Sequence, residues 1–197
     1  MAKKIVILSF GIFIMLACSP ATDDKREEKK DDKDTIALTG AERDFFKHIS
    51  SLCGKKFAGE EKFMRDKERS FGDAEMIIHV ESCTENEIRI PFHVGSDESR
   101  TWLLLEDEGR LRLRHDHRHE DGTPEETTMY GGYSDQQGTE YSQYFPPDDY
   151  TYETLENAEG HKWSFTLSED LKTLAYCLKF DDELIFRAEF NIDEPIN

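Results

Sequence analysis

His115, His117 and His119 recur at every second position near the end of the segment running from Ile88 to Gly122, and this is where the chain concentrates unusual chemistry. On an extended strand, side chains two positions apart share a face and stand ~6.7 Å apart. Two neighbouring imidazoles at that spacing can share an ion. All three span about 13 Å, too far for bonds of ~2.0–2.1 Å from one straight strand to one metal, so a third ligand has to come from elsewhere. Three kinds of chemistry are open to the cluster. It can bind a divalent metal or a polar ligand. With a metal it can activate water, which makes a metal-dependent hydrolase the alternative function. Or the imidazoles only cover apolar neighbours and hydrogen-bond to acids at the rim, where Glu120 and Asp121 follow. His79 and His93 add nothing obvious, because alternation sets each opposite its own strand's large apolar face.

Other catalytic parts are missing from the sequence. It has no HExxH, no GxSxG and no phosphate-cradling glycine loop, so neither a zincin helix, a nucleophile elbow nor a P-loop is encoded. Paired carboxylates discriminate nothing in so acidic a chain. We therefore expect a non-catalytic binding or envelope-interaction module with no cofactor, and assign no catalytic residue. Two further groupings could mark a surface. Arg110, Arg112, Arg114 and Arg118 share a strand face with Asp116, which suits cross-strand ion pairs or an anion patch. Tyr141, Tyr144, Phe145, Tyr150 and Tyr152 could edge a carbohydrate or peptide surface, or alternate into a core and cap its mouth.

These side chains need a sheet to hold them, and the patterning supplies one. Thr39 with Glu42 three residues on forms a capping box ahead of Phe45, Phe46, Ile49 and Leu52 at helical spacing, so one helix runs toward Gly54. From Phe57 the period changes to two. Met76, Ile78 and Val80 alternate with polar neighbours, as do Ile88, Ile90, Phe92 and Val94. Trp102 to Leu105 is apolar on both faces, and Leu111 and Leu113 continue onto the histidine face. Segments 127–133 and 139–145 suggest a hairpin about Ser134–Gly138. Three more alternating runs begin at Trp163, Leu174 and Leu184, with short acidic turns between them. Glu60 to Gly72 is charged and ambiguous.

About eight to ten short strands behind one helix argue a mainly β, antiparallel fold. An up-and-down barrel is favoured because sequential hairpins generate it directly and closure removes exposed edges; a β-sandwich is the alternative. The helix followed by Gly54-Lys55-Lys56-Phe57 resembles the entry to the first strand of the lipocalin-like, or calycin, group, without the tryptophan of true lipocalins. More closely, IRIPFHVG, SRTW, HDHRHEDG and YGG, between Cys53 and Pro195, resemble a family of bacterial secreted proteins and lipoproteins that has no established activity, so the resemblance implies a fold and a location but no mechanism.

Charge excludes one class of partner. The chain carries a formal charge of -18. Removing residues 1–17 takes away Lys3 and Lys4 and leaves -20, of which the Asp23 to Asp34 segment, with seven acids and five bases, holds -2. Nucleic acid would be repelled by the remainder, and no basic cluster overrides it.

Lys3 and Lys4, an apolar run from Ile5 to Leu16, and then Leu16-Ala17-Cys18-Ser19 read as a secretory leader too short to span a bilayer. The cysteine at the cleavage point resembles the lipobox of bacterial lipoproteins. That resemblance implies a diacylated Cys18 as mature N-terminus, with a membrane as partner through its acyl chains, palmitate among them. Residues 1–17 are then the signal peptide, 18–37 the lipidated terminus and a charged, disordered tether, and 38–197 a single domain. Ser19 after the cysteine resembles outer-membrane sorting, so we expect a monomer in the cell envelope, anchored to the outer membrane and presenting its domain to a small ligand or an envelope protein. Export permits a disulfide among Cys53, Cys83 and Cys177. Three pairings are open; Cys53 with Cys83 is favoured, since each lies near the end of an element while Cys177 falls within a strand.

Overall fold

Thr39 starts the fold. The computed structural model describes residues 37–197, so the leader, Cys18 and the charged segment from Asp23 to Asp34 lie outside the described residues. The Thr39 hydroxyl accepts from the Glu42 backbone N–H at 3.2 Å, and the Glu42 carboxylate accepts from the Thr39 N–H at 2.9 Å. This reciprocal cap begins helix α1 (Gly40–Ser50), whose Phe45, Phe46 and Ile49 are buried. Past the helix, the Gly54 N–H donates to the Val80 carbonyl at 2.6 Å, and a disulfide joins Cys53 to Cys83.

The strands follow as β1 (Lys56–Met64), β2 (Met76–His79), β3 (Ser82–Cys83), β4 (Glu87–Val94), β5 (Asp97–Asp107), β6 (Arg110–His117), β7 (Tyr130–Tyr133) and β8 (Ser142–Phe145), then helix α2 (Asp149–Thr154), β9 (His161–Leu167), β10 (Thr173–Phe180) and β11 (Glu183–Asn191). Among the described residues these eleven strands make one antiparallel sheet in the order β7-β6-β5-β4-β2-β1-β11-β10-β9-β8, with the short β3 also on β4. Read as a ring, that is chain order: β11 returns to pair with β1, and the interruption falls between β7 and β8. The fold is thus an up-and-down meander in a nearly closed barrel.

The expected hairpin between 127–133 and 139–145 is not formed. β7 pairs with β6, and β8 pairs with β9. The two segments meet as opposite ends of the sheet, joined by single bonds: Asp135 N–H to the Tyr144 carbonyl at 3.0 Å and Asp148 N–H to the Gly131 carbonyl at 3.1 Å. Two causes are local. Pro146 and Pro147 have no N–H with which to continue a ladder. Gly132 lies so close to the Pro146 carbonyl that a Cβ would collide with it, so the backbones touch there without forming a ladder. The stretch from Glu60, ambiguous in sequence, continues β1 to Met64 and then forms a 3-10 turn over Lys67–Arg69.

Alternation decides what fills the barrel. Ile88, Ile90, Phe92 and Val94 of β4 face inward, as do Trp102 and Leu104 of β5 and Leu111 and Leu113 of β6. From the far wall come Phe165, Leu174, Tyr176, Phe186 and Phe190. Each fully buried side chain of this size contributes roughly 1.5–3 kcal/mol. Helix α1 stoppers one end. Its Glu42 is wholly buried and accepts from the Leu111 N–H at 3.3 Å and from the Ser134 hydroxyl, at the end where β6 starts and β7 finishes.

Candidate functional site

The other end of the barrel holds a cavity of about 360 Å3. Its wall comes largely from the opposite strand ends: Phe92 toward the end of β4, Arg100 near the start of β5 with Trp102 at its middle, His115 and His117 at the end of β6, and Trp163, Tyr176 and Phe186 across the interior. The lining runs from buried Trp102 and His115 to exposed Asp66 and Arg69, so the cavity opens on that side. The segment after β1 overhangs this opening. It is fastened by Glu61, whose carboxylate accepts from the Ser70 hydroxyl at 2.6 Å and the Phe71 N–H at 2.8 Å, while Phe71 meets Phe186 edge-on with centroids 5.9 Å apart.

Aromatic contacts make the wall stiff. Trp102 lies between Phe92 and Tyr176, stacked on both at centroid distances of 4.6 and 4.4 Å. His115 stacks on Tyr130 at 4.6 Å, and Trp163 tilts against both rings. Such offset and edge contacts contribute about 0.5–1.5 kcal/mol per pair beyond area burial.

The hydrogen bonds fix the protonation of His115. Nδ1 is 3.2 Å from the Tyr130 carbonyl, which can only accept, so Nδ1 carries the proton. Nε2 therefore accepts from the Tyr176 hydroxyl, at 2.7 Å. Burial lowers the His115 pKa to about 3, keeping the ring neutral, and pushes the Tyr176 hydroxyl well above its ordinary value. His117 is set differently. Its Nε2 lies 3.2 Å from the Tyr130 hydroxyl and its Nδ1 3.9 Å from Glu125, and burial, with Arg100 adding to it, lowers its pKa. Burial likewise raises the Tyr130 hydroxyl to about 12.

His115 and His117 are thus brought to one wall, and His119 is not. β6 ends at His117; beyond it the His119 N–H bonds to the Thr123 carbonyl and the Gly122 N–H returns to His119, a turn that leaves His119 exposed. Both ring nitrogens of His115 are committed within the protein. Among the described residues no group of three or more His, Cys, Asp or Glu side chains is placed to hold a metal ion. His79 and His93 are only half-buried, on strand positions that alternate with the buried ones.

The arginine face finds most of its partners within the protein, although Arg110 Nε and Arg112 Nε make no hydrogen bond. Arg112 and Arg114 both bond Asp148, Arg112 also meets Asp107, and Arg118 donates to Asp116 at 2.9 Å. Tyr133 lies against the guanidinium groups of Arg110 and Arg112, at 4.7 and 4.6 Å. The tyrosine run does not converge on the cavity: Phe145 is in the core, Tyr141 stacks on His48, and Tyr150 and Tyr152 are exposed. Cys177 is a buried free thiol on β10.

The cavity residues that pattern reading passed over are Trp102, Tyr130, Trp163, Tyr176 and Arg100. Trp163 and Tyr176 occupy inward positions of alternating runs, and Trp102 opens a run apolar on both faces; in either pattern a core role and a pocket role look alike. Arg100 sits on β5 directly across from both Phe92 and His117, a register the sequence does not display. No protein-family model and no curated protein sequence matches the chain.

Proposed function

We propose that the chain is a lipid-anchored protein of the bacterial cell envelope whose barrel is a non-catalytic binding module, taking a small, largely apolar ligand in the cavity opposite α1. The cavity carries this reading. Its volume of about 360 Å3 lies within the ~300–1,000 Å3 of small-molecule sites, and its make-up matches theirs: aromatic walls with a few placed polar groups. The stacked Phe92, Trp102 and Tyr176 give it a preformed shape, which lowers the ordering cost of binding. Anchoring is supported by the sequence through Leu16-Ala17-Cys18-Ser19.

The experiment is calorimetry with a neutral aromatic probe, 2-naphthamide. Saturable one-to-one binding is expected with the purified protein, and its loss in Leu178→Phe, which places bulk in the lining. Absence of binding, or equal binding by the filled variant, would overturn the reading. Mass spectrometry of the N-terminal peptide tests the anchor separately: acyl mass on Cys18 is expected, and an intact unmodified leader would contradict it.

A further inference from the structure

Resting on that binding reading, we infer that the ligand is a compact aromatic monocarboxylate, its ring system among Trp102, Tyr176 and Trp163 and its carboxylate toward Arg100 and Arg69 at the opening.

Charge gives the first reason. The protein is strongly acidic, yet the charged side chains lining this cavity are Arg69, Arg100 and Asp66. Asp66 is already used: its Oδ1 accepts from the Glu68 N–H at 3.1 Å, capping the 3-10 turn. Arg100 has donor capacity to spare. Its Nη1 is ion-paired with Asp97 at 2.6 Å, and its other guanidinium nitrogens make no hydrogen bond among the described residues, which leaves them open to a second acceptor. A guanidinium with unused donors can take a further acceptor, and it pairs best with a carboxylate.

The aromatic rings give the second. An aromatic box in an acidic protein could hold an organic cation, which binds to the negative faces of rings. Here several of those faces are already occupied. Trp102 is stacked on Phe92 and on Tyr176, Tyr130 on His115, and Trp163 on His161. What stacked rings offer a neighbour is their edges, which are positive and suit an anion or an acceptor-rich π system. Both the rings and the arginines disfavour a cation.

Size gives the third. At ~30 Å3 for each water-sized group, 360 Å3 accommodates about a dozen non-hydrogen atoms. A two-ring acid fits this space, whereas a long acyl chain would have to extend through the opening.

Calorimetry with 2-naphthoate, 2-naphthamide and 2-naphthylmethylammonium decides the matter, since the three share a ring system and differ in charge. We expect 2-naphthoate to bind at least tenfold more tightly than the amide and the ammonium to bind most weakly. Arg100→Gln and Arg69→Gln should each shrink the carboxylate-to-amide ratio by threefold or more. Arg69 is exposed, so its variant decides should Arg100→Gln fail to fold. An amide that binds as tightly as the carboxylate, a ratio unmoved in both folded variants, or a preference for the ammonium overturns the carboxylate while leaving the binding module standing. No binding by any of the three overturns both.

Discussion

The Tyr176 hydroxyl on β10 donates to Nε2 of His115 on β6 across the barrel interior, over 2.7 Å, and holds that imidazole neutral in the tautomer whose other nitrogen bonds the Tyr130 carbonyl. The pair has a consequence for acid stability. The folded-state pKa of His115 is about 3, below the ordinary ~6.5. Between those values the unfolded chain takes up a proton that the folded chain refuses, so stability falls as pH falls, by up to about 1.4 kcal/mol per pH unit. His117, also lowered, acts in the same direction. The carboxylates held low, Glu42, Asp97 and Asp107, lose their contributions only as pH drops below about 4.5. The window from pH 6.5 to 5 therefore belongs to the imidazoles. Urea unfolding at pH 7 and pH 5 should show a loss of roughly 2 kcal/mol in the wild type and a clearly smaller one in His115→Gln. Equal losses would contradict the buried neutral imidazole.

Glu42 ties α1 to the barrel. Burial alone would raise its pKa, but hydrogen bonds from Ser134, Thr39 and Leu111 outweigh burial and lower it. Hydrogen bonds to a charged group contribute about 1.5–3 kcal/mol each. Glu42→Ala should therefore cost at least about 2 kcal/mol, with amide exchange in Phe45 to Ile49 accelerating more than in β4. Unchanged exchange across α1 would show that the stopper is held by packing instead.

Asp148 closes the seam between β7 and β8. It caps α2 through the Thr151 N–H at 3.1 Å, and it accepts from Arg112 at 3.0 Å and from both terminal nitrogens of Arg114. Thr151 continues the closure, accepting from the Gly131 N–H and donating to its carbonyl, each at 2.7 Å. Arg114 is only 3% exposed, so removing its partner strands a buried charge. We expect Asp148→Ala to lose about 3–5 kcal/mol on chemical unfolding. A loss below about 1 kcal/mol, the range of an exposed pair, would mean the seam does not depend on this contact.

Much of the fold was legible because its signals are local. The Thr39–Glu42 box and the stripe from Phe45 to Ile49 mark α1, and period-two runs such as Ile88 to Val94 mark the inward faces. The apparent hairpin at Ser134 does not form, for the complementary reason. Whether β7 and β8 pair depends on how Gly132 meets Pro146, a relation made only when the barrel comes round. Alternation likewise placed His115 and His117 on the inner face but could not show that the strand stops before His119. The cavity was the least legible part. It forms where inward side chains from eight strands fail to fill one end, and Trp102 in a packed core has the same sequence pattern as Trp102 lining a site.

The most direct measurement of ligand binding uses the chain's two tryptophans, Trp102 and Trp163, both of which line the cavity. Their indole N–H signals can be followed by NMR as 2-naphthamide is added. Binding in the barrel predicts that both signals move together and saturate at one ligand per chain, and that Leu178→Phe abolishes the movement. Signals that stay fixed while backbone resonances elsewhere shift would place the ligand outside the cavity and contradict the proposed function.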